Sequence, residues 1–377
     1  MRILFIDTKP IRRGAQIFSH DLSGHYRKTG IDVKRIYLFK NNSEITLPID
    51  EQDELFEANE NNIQEKIFTI QPLILIKLVK CIKKYKPDII MLNGSKTLKY
   101  GAFAKKILVD KYQFVYRVID SPKFWNTSFI TKFYYKHIVI PSIDAAVGVS
   151  DASLTDMKSL YGFNKNATVI HRAVNFESFQ NVPTKEECRR LLNINSEKKV
   201  ILFLGNLTSQ KRPDRFIEII KSLTDKFPDV RACIVGDGPL KSAVIKQIKN
   251  YNLEDVVTLY GYQQQVGNYI CASDLLLLTS DTEGLPGVVP EAGYFSVPTI
   301  ASNVGGVNEC IENGVSGFVV EKNNIADFIQ KSILLLSEKD KLNIMGVAAK
   351  HSAEKNFNIN NVSKSYLDFF DSLIKNK

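Results

Sequence analysis

Two kinds of hydrophobic pattern alternate along the chain. The first is a short, nearly continuous apolar run: RILFID, VKRIYLF, PDIIMLN, QFVYRVI and DAAVGVS in the first half, then VILFLG, RACIVG, VVTLYG, DLLLLTS, PTIAS and GFVV in the second. Strands that are apolar at every position are buried on both faces, so these runs predict parallel sheets covered by helices. The second pattern is longer and amphipathic, as in AQIFSHDLSGHYRKTG, DRFIEIIKSLTDKF and IADFIQKSILLLSEKD, and predicts those helices. The alternation runs twice, each time far enough for one doubly wound α/β domain. A polar stretch, ESFQNVPTKEECRRLLNINSEKK, predicts the boundary near residues 178–197. The expected division is an N-terminal domain over residues 1–180, a C-terminal domain over 198–355, and a last segment over 356–377. In that segment Val362, Tyr366, Leu367, Phe370 and Leu373 fall at helical spacing, which predicts a final helix over Ile359 to Lys375.

Length agrees with this division, since 377 residues exceed one ordinary core. A hydrophobic content of 44% with 24% charged residues is that of a globular protein. No segment approaches the roughly 18 consecutive apolar residues of a membrane span, and MRILFIDTKP reads as a first strand, not a signal peptide. The five cysteines, Cys81, Cys188, Cys233, Cys271 and Cys310, form no CxxC pair, which argues against a disulfide framework or zinc site and for a reducing cytoplasm. Five dispersed histidines suggest no metal site either.

Charge adds an asymmetry. The net charge is +9, and residues 1–180, with 27 basic and 18 acidic side chains, carry all of it, despite an acidic run from Glu44 to Glu65. A basic half-molecule suits an anionic partner. Nucleic acid is disfavoured because the basic residues form no recognisable recognition module. The stretch LILIKLVKCIKKYK, Leu73 to Lys86, has two readings. It is a sheet-packed helix with its lysines in water, or it rests on an anionic membrane surface.

In open α/β sheets ligands bind beyond the carboxyl ends of the strands, and the loops there are glycine-rich: Gly14, Gly205, Gly236 and Gly238, Gly284 and Gly287, Gly305 and Gly306. The segment TEGLPGVVPE follows the strand DLLLLTS and turns into a helix expected to start near Pro286. Glycine there admits a ligand to the backbone, and free amides at a helix start favour phosphate. Glu283 lies in the turn and Glu291 is expected one to two turns into the helix. Carboxylates repel phosphate and accept hydroxyls, so the pair suits a diphosphate flanked by sugars. Lys211, in GNLTSQKRP, is placed to neutralise a departing diphosphate, with Arg212 beside it. The bland alternatives are a solvated turn lysine and two carboxylates favoured by their local backbone. The chain has no Asp-x-Asp pair, so no metal is expected.

The run EGLPGVVPEA, with VPTIASNVGGVNE after it, resembles the donor-site signature of retaining group-1 glycosyltransferases, whose two glutamates are spaced as Glu283 and Glu291 are. FLGNLTSQKRPDRFIEIIKSL resembles the family's glycine-turn-lysine loop, CIVGDGPLKSAVIKQI its next strand-loop-helix, and RRGAQIFSHDLSGHYRKTGIDV its first glycine loop. The likeness is strongest over residues 198–322. It implies the α/β GT-B fold, two Rossmann-like doubly wound domains facing a cleft, with the last helix crossing back onto the first domain. It implies transfer of a hexosyl group, with retention and without metal or other cofactor, from a UDP- or GDP-linked sugar to a saccharide or lipid-linked acceptor. The setting would be surface polysaccharide or glycolipid synthesis, in the cytoplasm or peripherally at the inner face of the plasma membrane.

Carried over by residue, Glu291 would bind the ribose, Glu283 the donor sugar and Lys211 the diphosphate. Gly205 forms the turn before Lys211. The backbone of Leu285, Pro286, Gly287 and Val288 would meet the diphosphate and sugar, and Gly14 would approach the donor from the other domain. The chain departs from the pattern in places. Asn206 stands where the family usually has arginine, with Arg212 as the compensating cation. Asp120, in RVIDSPKFW, stands where many members have histidine, and would bond a sugar or cap a helix. Arg172 and Ala173 replace an asparagine-glycine pair, and Ser296 replaces glycine. These departures keep open a weakened or non-catalytic nucleotide-sugar-binding homologue. A nucleotide-sugar epimerase on the same scaffold is the other alternative.

Overall fold

The computed structural model describes residues 1–41, 45–60, 70–108, 112–125 and 128–375, so part of the acidic run from Glu44 to Glu65 lies outside it. The chain divides into two compact units. One comprises Met1–Ala173 with Ile359–Lys377, the other Val174–Asn358. Each is built on one parallel sheet with helices on both faces, the α/β architecture of the GT-B fold.

The N-terminal unit holds seven strands: β1 (Arg2–Asp7), β2 (Asp32–Tyr37), β3 (Glu54–Leu55), β4 (Ile89–Asn93), β5 (Gln113–Val118), β6 (Ala145–Gly148) and β7 (Asn166–Val169), in the order β3-β2-β1-β4-β5-β6-β7. Alternate residues of one strand enter different cores, as the period of two requires. Leu4, Ile6, Ile90 and Leu92 face the helices Pro72–Tyr85, Ser95–Leu108 and Asp151–Tyr161. Ile3, Phe5, Ile89 and Met91 face Gly14–Lys28 and Ile359–Lys375. The side switches where the order reverses, between β1 and β4, because parallel crossovers are right-handed. The last helix buries Val362, Tyr366, Phe370 and Leu373 in this unit. Tyr26 donates its hydroxyl to the Ser363 carbonyl at 2.9 Å, and Tyr366 packs on Phe18 with ring centroids 5.6 Å apart.

The C-terminal unit holds β8 (Lys199–Leu204), β9 (Val230–Val235), β10 (Val257–Gly261), β11 (Leu275–Leu278), β12 (Thr299–Ser302) and β13 (Gly317–Val320), in the order β10-β9-β8-β11-β12-β13. The helices Pro213–Thr224, Lys241–Asn250 and Ile325–Ser337 cover one face; Gly267–Ala272 and Val288–Tyr294 cover the other. Its order reverses between β8 and β11.

The unit boundary, between Ala173 and Val174, precedes the polar stretch expected to form it. Part of that stretch is a helix, Lys185–Leu191, opened by a reciprocal capping box between Thr184 and Glu187. It is fastened to the C-terminal unit by Arg189, which donates to the Ala272 carbonyl at 3.0 Å and to Asp274 at 2.7 Å.

Candidate active site

In the C-terminal unit, the loops leaving β8 and β11 flank the point where strand order reverses, where such sheets place ligands. The β8 loop passes Gly205 and the exposed Asn206, then folds so that the Thr208 carbonyl accepts from the amides of Lys211 (3.1 Å) and Arg212 (3.2 Å). Arg212 adopts a left-handed φ of 51°, and Pro213 opens the next helix. Thr279 and Gln210 tie this loop to the β11 loop. Thr279 donates its hydroxyl to the carbonyls of Lys211 (3.1 Å) and Arg212 (2.9 Å). Gln210 donates its side-chain amide to the Thr282 carbonyl (2.9 Å) and accepts from the Asp281 amide (2.8 Å).

This stitching brings Lys211 and Glu283 together. The Lys211 ammonium donates to Glu283 Oε1 at 2.6 Å, and the Ser280 hydroxyl donates to the same oxygen at 2.6 Å. The Glu283 side chain is 6% exposed and that of Lys211 23%, so the carboxylate is enclosed while the ammonium reaches solvent. The arrangement presents a fixed cation, backed by a buried anion.

A third loop fixes Glu283 from behind. The Gly306 amide donates to the Gly284 carbonyl at 2.9 Å. Gly305 has φ +55° and lies so close that a Cβ there would sit 1.7 Å from the Glu283 carbonyl oxygen. Only glycine fits this position.

Other predicted residues are placed differently. The helix after TEGLPG starts at Val288, two residues past Pro286, with Gly287 as its cap. Glu291 therefore lies in its first turn, not one to two turns in. Leu285, Pro286 and Gly287 are buried and Val288 is partly so. Arg212 is turned to carboxylates: it donates to Asp214 at 2.7 Å and to Asp281 at 3.2 Å. Asp281 also pairs with the buried Arg215 at 2.7 Å. Burial would raise its pKa, but the bonds from Arg215 and Arg212 outweigh that and hold the carboxyl below the usual range. Gly14 and Asp120 belong to the N-terminal unit. Gly14 opens the helix Gly14–Lys28, and a Cβ there would lie 3.1 Å from the Arg172 guanidinium. Asp120 accepts from the Ser121 amide at 2.8 Å, just after β5.

Sequence reasoning missed Thr279, Ser280, Arg215 and Asp281. The available signal for Arg215 was an arginine on the apolar stripe of DRFIEII, where a buried charge needs a partner.

The N-terminal unit carries its own polar group at its reversal point. Asp7, at the end of β1, is fully buried and accepts from Ser19 and from Asn93 of β4, both at 2.5 Å. Arg117 of β5 donates to Asn93 Oδ1 at 3.1 Å and to the Tyr366 hydroxyl at 3.3 Å, with its guanidinium 3.7 Å from the Phe18 ring centre. Burial pushes Asp7 up to about 6, against the hydrogen bonds from Ser19 and Asn93.

Two doubly wound units, each with its strand order reversed once, define the GT-B fold class. Residues 184–352 match the family described as glycosyl transferases group 1. The chain is similar to a UDP-Gal:alpha-D-GlcNAc-diphosphoundecaprenol alpha-1,3-galactosyltransferase of Escherichia coli, 28% identical over 318 residues that cover 80% of each protein. It also resembles a putative teichuronic acid biosynthesis glycosyltransferase of Bacillus subtilis, 34% identical over 170 residues, which cover 45% of this chain and 41% of that one. In fold it matches the Anabaena HepE protein, crystallised with UDP-glucose, with a TM-score of 0.83 at 21% identity over 99% of this chain and 100% of that one.

Proposed function

We propose that the chain transfers a hexosyl group from a nucleotide-diphosphate sugar, with retention of configuration and without a metal ion, to a saccharide or lipid-linked acceptor. The observation that carries this reading is the Lys211–Glu283 pair, held at 2.6 Å by two loops at the sheet's reversal point. As the bond between the sugar and the diphosphate breaks, negative charge gathers on the departing phosphate oxygen. A pre-positioned ammonium stabilises that charge without reorganising, an effect worth about 100- to 1,000-fold in rate. Glu283 accepts donor-sugar hydroxyls while it holds Lys211 in place, Glu291 takes the ribose diol, and the backbone of Leu285 to Val288 lines the diphosphate. UDP is the favoured nucleotide, because the Escherichia coli relative is a UDP-Gal-dependent transferase and HepE was crystallised with UDP-glucose; GDP is the alternative. The Escherichia coli relative's acceptor is a diphosphoundecaprenol-linked sugar, which supports a lipid-linked acceptor here, met at an anionic membrane surface during polysaccharide or glycolipid synthesis.

A second reading, a weakened binder, draws on Arg212. Its guanidinium is engaged by Asp214 and Asp281, so it does not stand in for the arginine that Asn206 replaces.

The test is a thermal-shift titration with UDP, GDP, ADP and CMP, followed by turnover of the matching nucleotide sugar in the presence of a chelator. A ligand at about 100 times its dissociation constant stabilises by roughly 2.7 kcal/mol. UDP is expected to raise the melting temperature, Glu291→Ala and Lys211→Met to lose most of that rise, and Lys211→Met to lose at least about 100-fold in turnover. The Met variant leaves Glu283 without its ammonium, so the ligand-induced difference is the quantity to read. No shift with any nucleotide would refute donor binding. Binding without turnover would favour the second reading, an inverted product would refute retention, and loss of turnover with chelator would refute metal independence.

A further inference from the structure

Three helical segments lie side by side on one face of the N-terminal sheet: Pro72–Tyr85, Ser95–Leu108, and the run that begins as Phe129–Tyr134 and continues through helical turns to Ser142. Together they contain ten lysines and not one aspartate or glutamate. Amphipathic helices of water-facing layers normally mix both signs. Lys96 and Lys105 pair with Glu60 and Asp144 from neighbouring segments, while Lys77, Lys80, Lys83, Lys84, Lys106 and Lys136 are exposed.

The same layer exposes large apolar side chains. On the first helix, Ile74, Leu78 and Ile82 are buried, and Leu73, 69% exposed, and Ile76 point away from them, among the lysines. Ile107 is exposed at the end of the second. In the third, Phe129–Tyr134 buries no residue; Phe129 is 82% exposed, Ile130 77%, and Phe133 lies beside them. An isolated exposed leucine is ordinary, but exposed aromatic and branched side chains in one layer with exposed lysines are the pattern of a surface that meets lipid. No helix of the described residues is long and apolar enough to cross a membrane, so contact would be along the interface.

We propose that this three-helix face docks on an anionic lipid bilayer, with Phe129, Ile130 and Phe133 entering the headgroup boundary and the lysines of Pro72–Tyr85 on the phosphates. The proposal rests on the reading that the acceptor is lipid-borne, and it assigns that role to a named surface. Charge complementarity commits it to lipid: the six exposed lysines, on helices that carry no acid of their own, match a negatively charged sheet of headgroups, each contributing about fivefold in affinity near the surface, and each inserted phenylalanine about tenfold or more.

The experiment is flotation of the full chain with vesicles of phosphatidylcholine alone and of phosphatidylcholine with phosphatidylglycerol. Binding to the anionic vesicles only is expected, weakening as salt is added. The pair Phe129→Ser and Phe133→Ser should weaken it at least about tenfold, and the pair Lys80→Glu and Lys84→Glu at least as much. The shift in melting temperature with UDP is measured on the same variants and should not change. Absence of binding, binding indifferent to both pairs, or a self-association that the serine pair abolishes in place of lipid binding would each overturn the proposal. A UDP shift with no vesicle binding sinks the docking face alone. Vesicle binding with no UDP shift sinks the donor reading and leaves the face standing.

Discussion

The two units share a topology and use its reversal point in opposite ways. Between β8 and β11, Lys211 reaches solvent from a buried glutamate, and its partners are loops. Between β1 and β4, Asp7, Asn93 and Arg117 are all buried, and their partners include Ser19 and the last helix through Tyr366. One reversal point is left open to a ligand and the other is closed by the protein's own side chains. Topology therefore places polar groups at strand ends, but burial decides whether they serve chemistry or architecture. Asp7 has a raised pKa, yet it is a fastening; a shifted carboxyl marks a site only when it is also accessible.

The largest effect that would break this comparison comes from Gly305→Ala. The new methyl meets the Glu283 carbonyl at 1.7 Å, on a backbone with φ +55°. Overpacking and the left-handed conformation together predict a loss of about 2–4 kcal/mol, and the displaced Glu283 should cost most of the UDP-induced rise in melting temperature. A variant that melts lower but keeps the full nucleotide shift would show that the third loop supports the fold and not the open site.

Asp7→Asn probes the closed point. A carboxyl whose folded value is raised to about 6 contributes stability that is complete below its unfolded value, about 4, and lost as pH rises through 6. The stability difference, wild type minus Asp7→Asn, should thus fall by about 2–3 kcal/mol between pH 4 and pH 7. Paired denaturation curves across that range measure it, and the subtraction removes every other titrating group. A difference that rises with pH would mean that the ionised carboxylate is the stabilising form and that Arg117 acts on it more strongly than burial does.

Much of this was legible in the sequence because central strands are buried on both faces and therefore apolar throughout, as in LLLL of β11. The strands at the edges of the N-terminal sheet were not. β3 is two residues, and β7, NATV, mixes polar with apolar because one side is less covered. The boundary shifted for a related reason: TKEE carries a capping signature, but its helix is too polar to show periodicity, and Arg189 and Lys185 tie it down through Asp274. At the candidate site, Lys211 and Glu283 stood out because loops after strands hold ligands. Their mutual contact, Ser280's bond and Arg212's engagement by Asp214 and Asp281 depend on how separate loops meet, which no local pattern records.

The smallest effect would sharpen the comparison by labelling one unit. Ser296 follows the helix Val288–Tyr294 and has φ +57°, the left-handed conformation in which helices commonly end on glycine. A side chain there costs about 1 kcal/mol, part of which glycine returns through its freer unfolded chain. Ser296→Gly should therefore stabilise by roughly 0.5–1 kcal/mol, a rise of about 1–4 °C for a unit of this size. The neighbouring Gly346, where a Cβ would stand 2.2 Å from the Ser296 carbonyl, must stay glycine for the gain to appear. Because the change lies in the C-terminal unit alone, the calorimetric transition it raises identifies that unit. If the open reversal point is the nucleotide site, UDP raises that same transition, and Asp7→Asn lowers or raises a different one. If UDP moves the transition that Asp7→Asn moves, the ligand is bound by the N-terminal unit, and the assignment of open and closed points is reversed.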